Sequence, residues 1–243
     1  METTQTQQER MARAAKRPIL SGWALWLRTL PGNLVAVLPI AIIASALVVG
    51  WFPGIEIEFP GSFWLRVAAL ASLLIYGFAL VSLQLSDAHL GRERRGPFSV
   101  PLDRLASWVG TWLIVTAATA AGLALLIVPG LVVWMRLAWA DEYALAHSLG
   151  PVEACRASWR LSEGKTLDIF GFQFLLSLAE NVPWLLGLLV FALAFRGLSE
   201  LNLSGEVFNF VLGSIGVGWL LVLYGSFHAP EVVYFYGMQG RRS

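Results

Sequence analysis

The chain has 243 residues, of which 57% are hydrophobic and 14% charged, with a mean hydropathy of +0.66 and eleven tryptophans. That is more apolar surface than a water-soluble fold of this size can hide. The formal net charge of +1 says little by itself, because in a bilayer protein the placement of charge carries the information; a lone cysteine, Cys155, excludes an intrachain disulfide and any multi-cysteine metal site.

In chain order, residues 1–17 form a polar, mildly basic tail, and residues 18–243 read as a single membrane domain. The first long apolar run begins near Asn33, too far in for an ordinary cleaved signal peptide, so it is read as a retained span. A hydrocarbon layer of about 30 Å takes roughly 20 helical residues and leaves no water for unpaired amides. Six segments meet this: 33–52, 63–86, 107–127, 131–147, 168–195 and 207–236. The fold class expected is therefore all-α, a polytopic transmembrane helical bundle of about six spans, with short amphipathic interfacial helices.

Each inward-to-outward span is preceded by an amphipathic stretch opened by Pro18, Pro101 or Pro151, the residue type favoured at the first helical position. In the first, Ile19, Trp23, Trp26, Leu27 and Leu30 share a face; in the third, Val152, Cys155 and Trp159 oppose Glu153, Arg156 and Arg160. Three units of interfacial helix plus hairpin are one reading, although the spacings of 83 and 50 residues differ. The small residues Ala117, Ala118, Ala121 and Gly122 predict a tightly packed central third span. Pro129-Gly130 predicts a tight turn between spans three and four. Gly150-Pro151 and Gly164 would bracket the third interfacial helix.

Basic residues set the orientation. With the amino terminus inside, 14 of the 17 Lys and Arg fall on cytoplasmic segments, among them Arg17, Arg28, Arg92, Arg94, Arg95, Arg104, Arg156 and Arg160. The outer connections hold Glu56, Glu58, Glu200 and Glu206. A multi-pass protein of the bacterial cytoplasmic membrane with both termini cytoplasmic satisfies the positive-inside rule. Arg17, Arg28, Arg92, Arg94, Arg95, Arg156 and Arg160 are the expected contacts to anionic lipid headgroups. The run Arg92–Arg95 beside a span reads as a topology signal and not as a nucleic-acid site.

Charges within spans are costly, about 2.5–3.5 kcal/mol each on insertion scales, so Arg136 needs a partner. Asp141 and Glu142 lie five and six residues on, off its face, and read as the inner end of a short helix at the headgroup layer. Gln173, Ser177, Glu180 and Asn181 follow helical spacing as one polar stripe, and an Arg136–Glu180 ion pair is expected. Tyr224, His228 and Glu231 share a face near the inner end of the sixth span. Together Arg136, Gln173, Ser177, Glu180, Asn181, His228 and Glu231 are the candidate intramembrane polar site, either a cavity for a headgroup or solute or interhelical hydrogen-bonding glue. His89, His147 and His228 lack the His-Glu-x-x-His spacing of a metal site, and neither a Gly-x-Ser-x-Gly elbow nor a phosphate-binding Gly-Lys loop occurs. No catalytic residue, metal or cofactor is assigned.

At Pro129-Gly130, Arg136, Gly150-Pro151, Glu153-Ala154, Ser158-Trp159-Arg160-Leu161 and Gly164 the chain resembles bacterial integral membrane proteins of the glycerophosphoryl diester phosphodiesterase membrane-domain type. The likeness spans about residues 107–178; His147 and Ser148 depart from it where an acidic residue and a glycine are expected. It implies a membrane domain without phosphodiesterase activity, since no stretch is long or polar enough for the soluble enzyme domain. The expected function is non-enzymatic interaction with anionic lipid, with or without an unidentified protein partner. The alternatives are a transporter or lipid translocator using the polar site, and then an intramembrane enzyme.

Overall fold

The computed structural model describes residues 17–49, 62–93, 96–201 and 205–240, and these contain helices and no strand. The helices are α1 Pro18–Val49, α2 Ser62–His89, α3 Leu102–Leu125, α4 Ile127–Arg136, α5 Ala140–Ala146, α6 Pro151–Leu161, α7 Thr166–Ala179, α8 Asn181–Glu200 and α9 Gly205–Gln239. Among the described residues, five stretches are long and apolar enough to cross a membrane: Pro18–Ala46, Val67–His89, Leu102–Leu125, Thr166–Glu200 and Val207–Gln239.

The core is built on α1 and α9, packed antiparallel with α2 alongside. Small residues let the two backbones approach, which is how helices associate when lipid removes the hydrophobic drive. A Cβ on Gly22 would collide with the backbone of Pro230; one on Gly213 would stand 3.3 Å from Ser45, and one on Gly218 3.7 Å from Ala41. Trp26 crosses this seam and donates from Nε1 to the Val222 carbonyl at 3.1 Å. Pro31, Pro39 and Pro230 all lie within continuous helices.

Helices α7 and α8 run back along α9. The register is marked by Gln173 against Glu231, Glu180 against Ser226, and the site of Gly187 against Trp219. Three of these positions, 173, 180 and 187, are spaced by seven, so one face of this 35-residue stretch stays on α9. The rest of α8 carries exposed leucines, including Leu185, Leu188 and Leu193.

Several expectations are corrected. The first two amphipathic stretches are not separate helices, because Pro18 and Pro101 each stand at the start of one uninterrupted helix; only Pro151 opens a distinct one. The segment 131–147 is two short helices, α4 and α5, parted at residues 137–139. Pro129-Gly130 is not the turn. Leu126 alone turns the chain, in extended conformation at φ −163° and ψ 149°, and Pro129 sits in the first turn of α4 where its missing N–H costs no hydrogen bond. Gly130 instead lets α4 touch α3, since its Cβ would lie 2.5 Å from the Leu123 amide nitrogen. The third span is peripheral, with Ala117 and Ala121 exposed and only Gly122 of that small-residue group buried.

Despite its break, the 127–149 segment returns along the whole of α3. Gly122 meets Gly130 at one end; at the other, Arg104 Nη1 donates to the Leu145 carbonyl at 3.4 Å, Ser107 Oγ bonds the Leu149 carbonyl, and Gly110 faces Pro151. Gly164, at φ 72°, ends α6 as expected.

Candidate functional site

The break between α4 and α5 would leave backbone groups unpaired inside the bundle. Helix α6 supplies the partners. Ser158 Oγ accepts from the Trp139 amide at 3.1 Å and donates to the Arg136 carbonyl at 2.9 Å, and Ser162 Oγ stands 3.3 Å from the same carbonyl. Both serines are fully buried. The Arg136 guanidinium lies 4.9 Å from the centre of the Trp159 ring, a cation–π contact. The Ser158-Trp159 pair thus holds both the backbone and the side chain of Arg136.

This geometry corrects the expected Arg136–Glu180 ion pair, which does not form. Glu180 ends α7 and turns instead into the α1–α9 seam, accepting from Ser226 Oγ at 2.9 Å and from Trp23 Nε1 at 3.4 Å. Of the polar stripe, Gln173 and Glu180 are buried while Ser177 and Asn181 are exposed. On a helix, positions 173 and 180 nearly eclipse, whereas 177 and 181 drift progressively to one side. Asn181 Nδ2 donates back to the Ser177 and Leu178 carbonyls of the preceding turn.

The break also delivers Glu142 to the interior of the bundle, where it is 2% exposed. His228 Nε2 is 2.6 Å from Glu142 Oε1, and His228 Nδ1 is 3.2 Å from Glu231 Oε2. Ser86 Oγ donates to Glu142 Oε2 at 2.9 Å, and Gln173 Nε2 donates to Glu231 Oε1 at 2.8 Å. The imidazole stacks on Tyr224, whose hydroxyl meets Ser82 at 2.9 Å. Four helices, α2, α5, α7 and α9, therefore meet on one Ser86–Glu142–His228–Glu231–Gln173 chain.

Among the described residues, no group of three or more His, Cys, Asp or Glu is arranged to hold a metal ion.

Of the basic residues, Arg17, Arg28, Arg156 and Arg160 are exposed, and Arg92 pairs with Asp87 at 3.6 Å. Arg94 and Arg95 lie outside the described residues. The sequence placed Gln173, Glu180, His228 and Glu231 in the polar site but not Glu142, Ser86, Trp23 or Ser226. The pair Ser82 and Ser86, four apart in an apolar helix, was the available signal for the α2 contribution.

A cleft of about 290 Å³, lined by Tyr143, Ala157, Arg160, Leu161 and Gln239, lies between α5, α6 and the end of α9. The chain matches no protein-family model, no curated protein and no solved structure.

Proposed function

We propose that the chain is a non-enzymatic integral protein of the bacterial cytoplasmic membrane that gathers anionic lipid along its inner face. The observation that carries this reading is the three-sided surface of α6. Ala154, Ser158 and Leu161 are buried on the bundle, Val152 and Trp159 form an exposed apolar side, and Glu153, Arg156 and Arg160 form an exposed polar side. A helix lying at the headgroup layer against a bundle needs these three faces: protein, acyl chain and water. Six crossings are also favoured over five, because the broken α4–α5 segment follows all 24 residues of α3, about 36 Å. That return puts Arg104 and α6 at the same level, as the positive-inside rule requires.

A second reading, a transporter, is favoured by one observation: the ionisable side chains of Glu142, His228 and Glu231 lie together inside the bundle, the kind of group found along proton paths in membranes. One preparation tests both. The full chain is reconstituted in vesicles of phosphatidylcholine with and without phosphatidylglycerol. The first reading expects phosphatidylglycerol enriched among lipids retained on extraction, an enrichment that Arg156→Gln plus Arg160→Gln abolishes; equal retention of both lipids overturns it. The second expects dissipation of an imposed pH gradient that Glu142→Gln stops, and a gradient that persists with wild-type protein overturns that.

A further inference from the structure

We propose that the cleft between α5, α6 and the end of α9 is a binding site for a phosphate group, reached from the aqueous side. The proposal builds on the inner-face reading above but assigns a discrete site where that reading has only a charged surface. The cleft volume of about 290 Å³ stands at the lower end of small-molecule pockets, about 300–1,000 Å³, which suits a headgroup-sized anion and not a whole lipid or a protein segment.

Its polar lining brings donors from Arg160, Tyr143 and Gln239, with the Gln239 amide oxygen as an acceptor beside them. Arg160 brings a guanidinium with five N–H groups in a planar fork, and among the described residues only its Nε–H has an acceptor, the Arg156 carbonyl at 3.4 Å. Gln239 Nε2 donates to the Tyr143 hydroxyl at 3.2 Å, so that oxygen is used as an acceptor and its own hydrogen is free to point into the cleft. None of the five lining residues is acidic. On the polar side of α6, the Glu153 carboxylate is folded back over Gly150 at the start of the helix. Ala157 supplies the room: a larger side chain there would occupy the cleft without altering any charge.

The direction of approach follows from the helical wheel of α6. Residues 157, 160 and 161 project between the polar sector and the bundle, on the opposite side from Val152 and Trp159, the exposed apolar pair. A ligand in the cleft therefore comes from water, as a soluble phosphate ester or free phosphate, or else as a lipid phosphate bent over the helix. The chemistry recognised is the same in each case.

The test uses the full chain in phosphatidylcholine nanodiscs titrated with inorganic phosphate and with glycerol phosphate, read by intrinsic tryptophan fluorescence. Saturable binding is expected. Arg160→Gln and Ala157→Phe should each weaken it about tenfold or more, which is ~1.4 kcal/mol, with Arg156→Gln near wild type. Absence of saturable binding to wild type, or equal losses from Arg156→Gln and Arg160→Gln, overturns the site. Repeating the titration in phosphatidylglycerol nanodiscs separates the sources: competition by the lipid makes a headgroup the occupant, and an unchanged midpoint makes it a soluble phosphate. The bulk lipid preference proposed above draws on both arginines, so its failure would leave the Arg160-specific titration standing, and the reverse.

Discussion

Ser158 ties together two features that look unrelated in the sequence, an arginine in an apolar segment and a serine in an amphipathic helix 22 residues later. A Ser-Trp pair carries no periodic signal, so its role appears only once the α4–α5 break is known to need a donor and an acceptor. Glu142 is a similar case. His228 and Glu231 were legible because they stand three apart on one helix. Glu142 was not, because the turn at residues 137–139 resets the helical phase and rotates it inward. Arg136 has no acidic partner in its own helix; the Trp159 ring lies against its guanidinium, while its buried Nε has no hydrogen-bond partner among the described residues. Replacing Ser158 by alanine strands the Trp139 amide and weakens the hold on the Arg136 carbonyl. The expected loss is about 1–3 kcal/mol, read as a lowered thermal midpoint in detergent. Ser162→Ala should cost less, because Ser158 still donates to the Arg136 carbonyl at 2.9 Å; equal losses would mean that the break is not closed by Ser158.

At the scale of helices, hydropathy located the apolar segments well and their ends poorly. Proline explains much of the difference. In water Pro31, Pro39 and Pro230 would be expected to break α1 and α9, but in a bundle neighbouring helices and local hydrogen bonds hold such helices together. At Leu126 the reverse occurs, as an apolar residue with no turn character makes the reversal because Gly122 and Gly130 permit α3 and α4 to touch. That close approach was invisible in a single helix, since it depends on two glycines eight residues apart lying across a hairpin. Gly130→Ala should therefore be destabilising by about 1–3 kcal/mol, because the new methyl would meet backbone 2.5 Å away. Gly171→Ala makes the control: nothing lies within 4 Å of its Cβ position and the residue is inside α7. Its midpoint should stay level or rise, as helix propensity dictates. A Gly130→Ala protein as stable as wild type would show that the hairpin seam is looser than described.

For the molecule as a whole, the sequence offers an expectation about threading and none about assembly. The distribution of arginines predicts which ends share a side, yet nothing in it places α1 and α9 at the centre or α3 at the edge. That arrangement follows from Gly22, Gly213 and Gly218, whose neighbours come from the far end of the chain. Cys155 offers a direct check on the threading, because it is the only thiol and sits, half-buried, on α6. If α6 lies at the inner headgroup layer, a membrane-impermeant maleimide should label Cys155 in inverted vesicles and leave it unlabelled in intact spheroplasts. Burial pushes its thiol above the ordinary range. The thiolate is the reacting species, so labelling should keep accelerating beyond about pH 8.5, where a free cysteine is already half ionised. Faster labelling from the outer side at any pH would reverse the orientation of α6 and place Arg156 and Arg160 across the membrane from the anionic leaflet that they are proposed to hold.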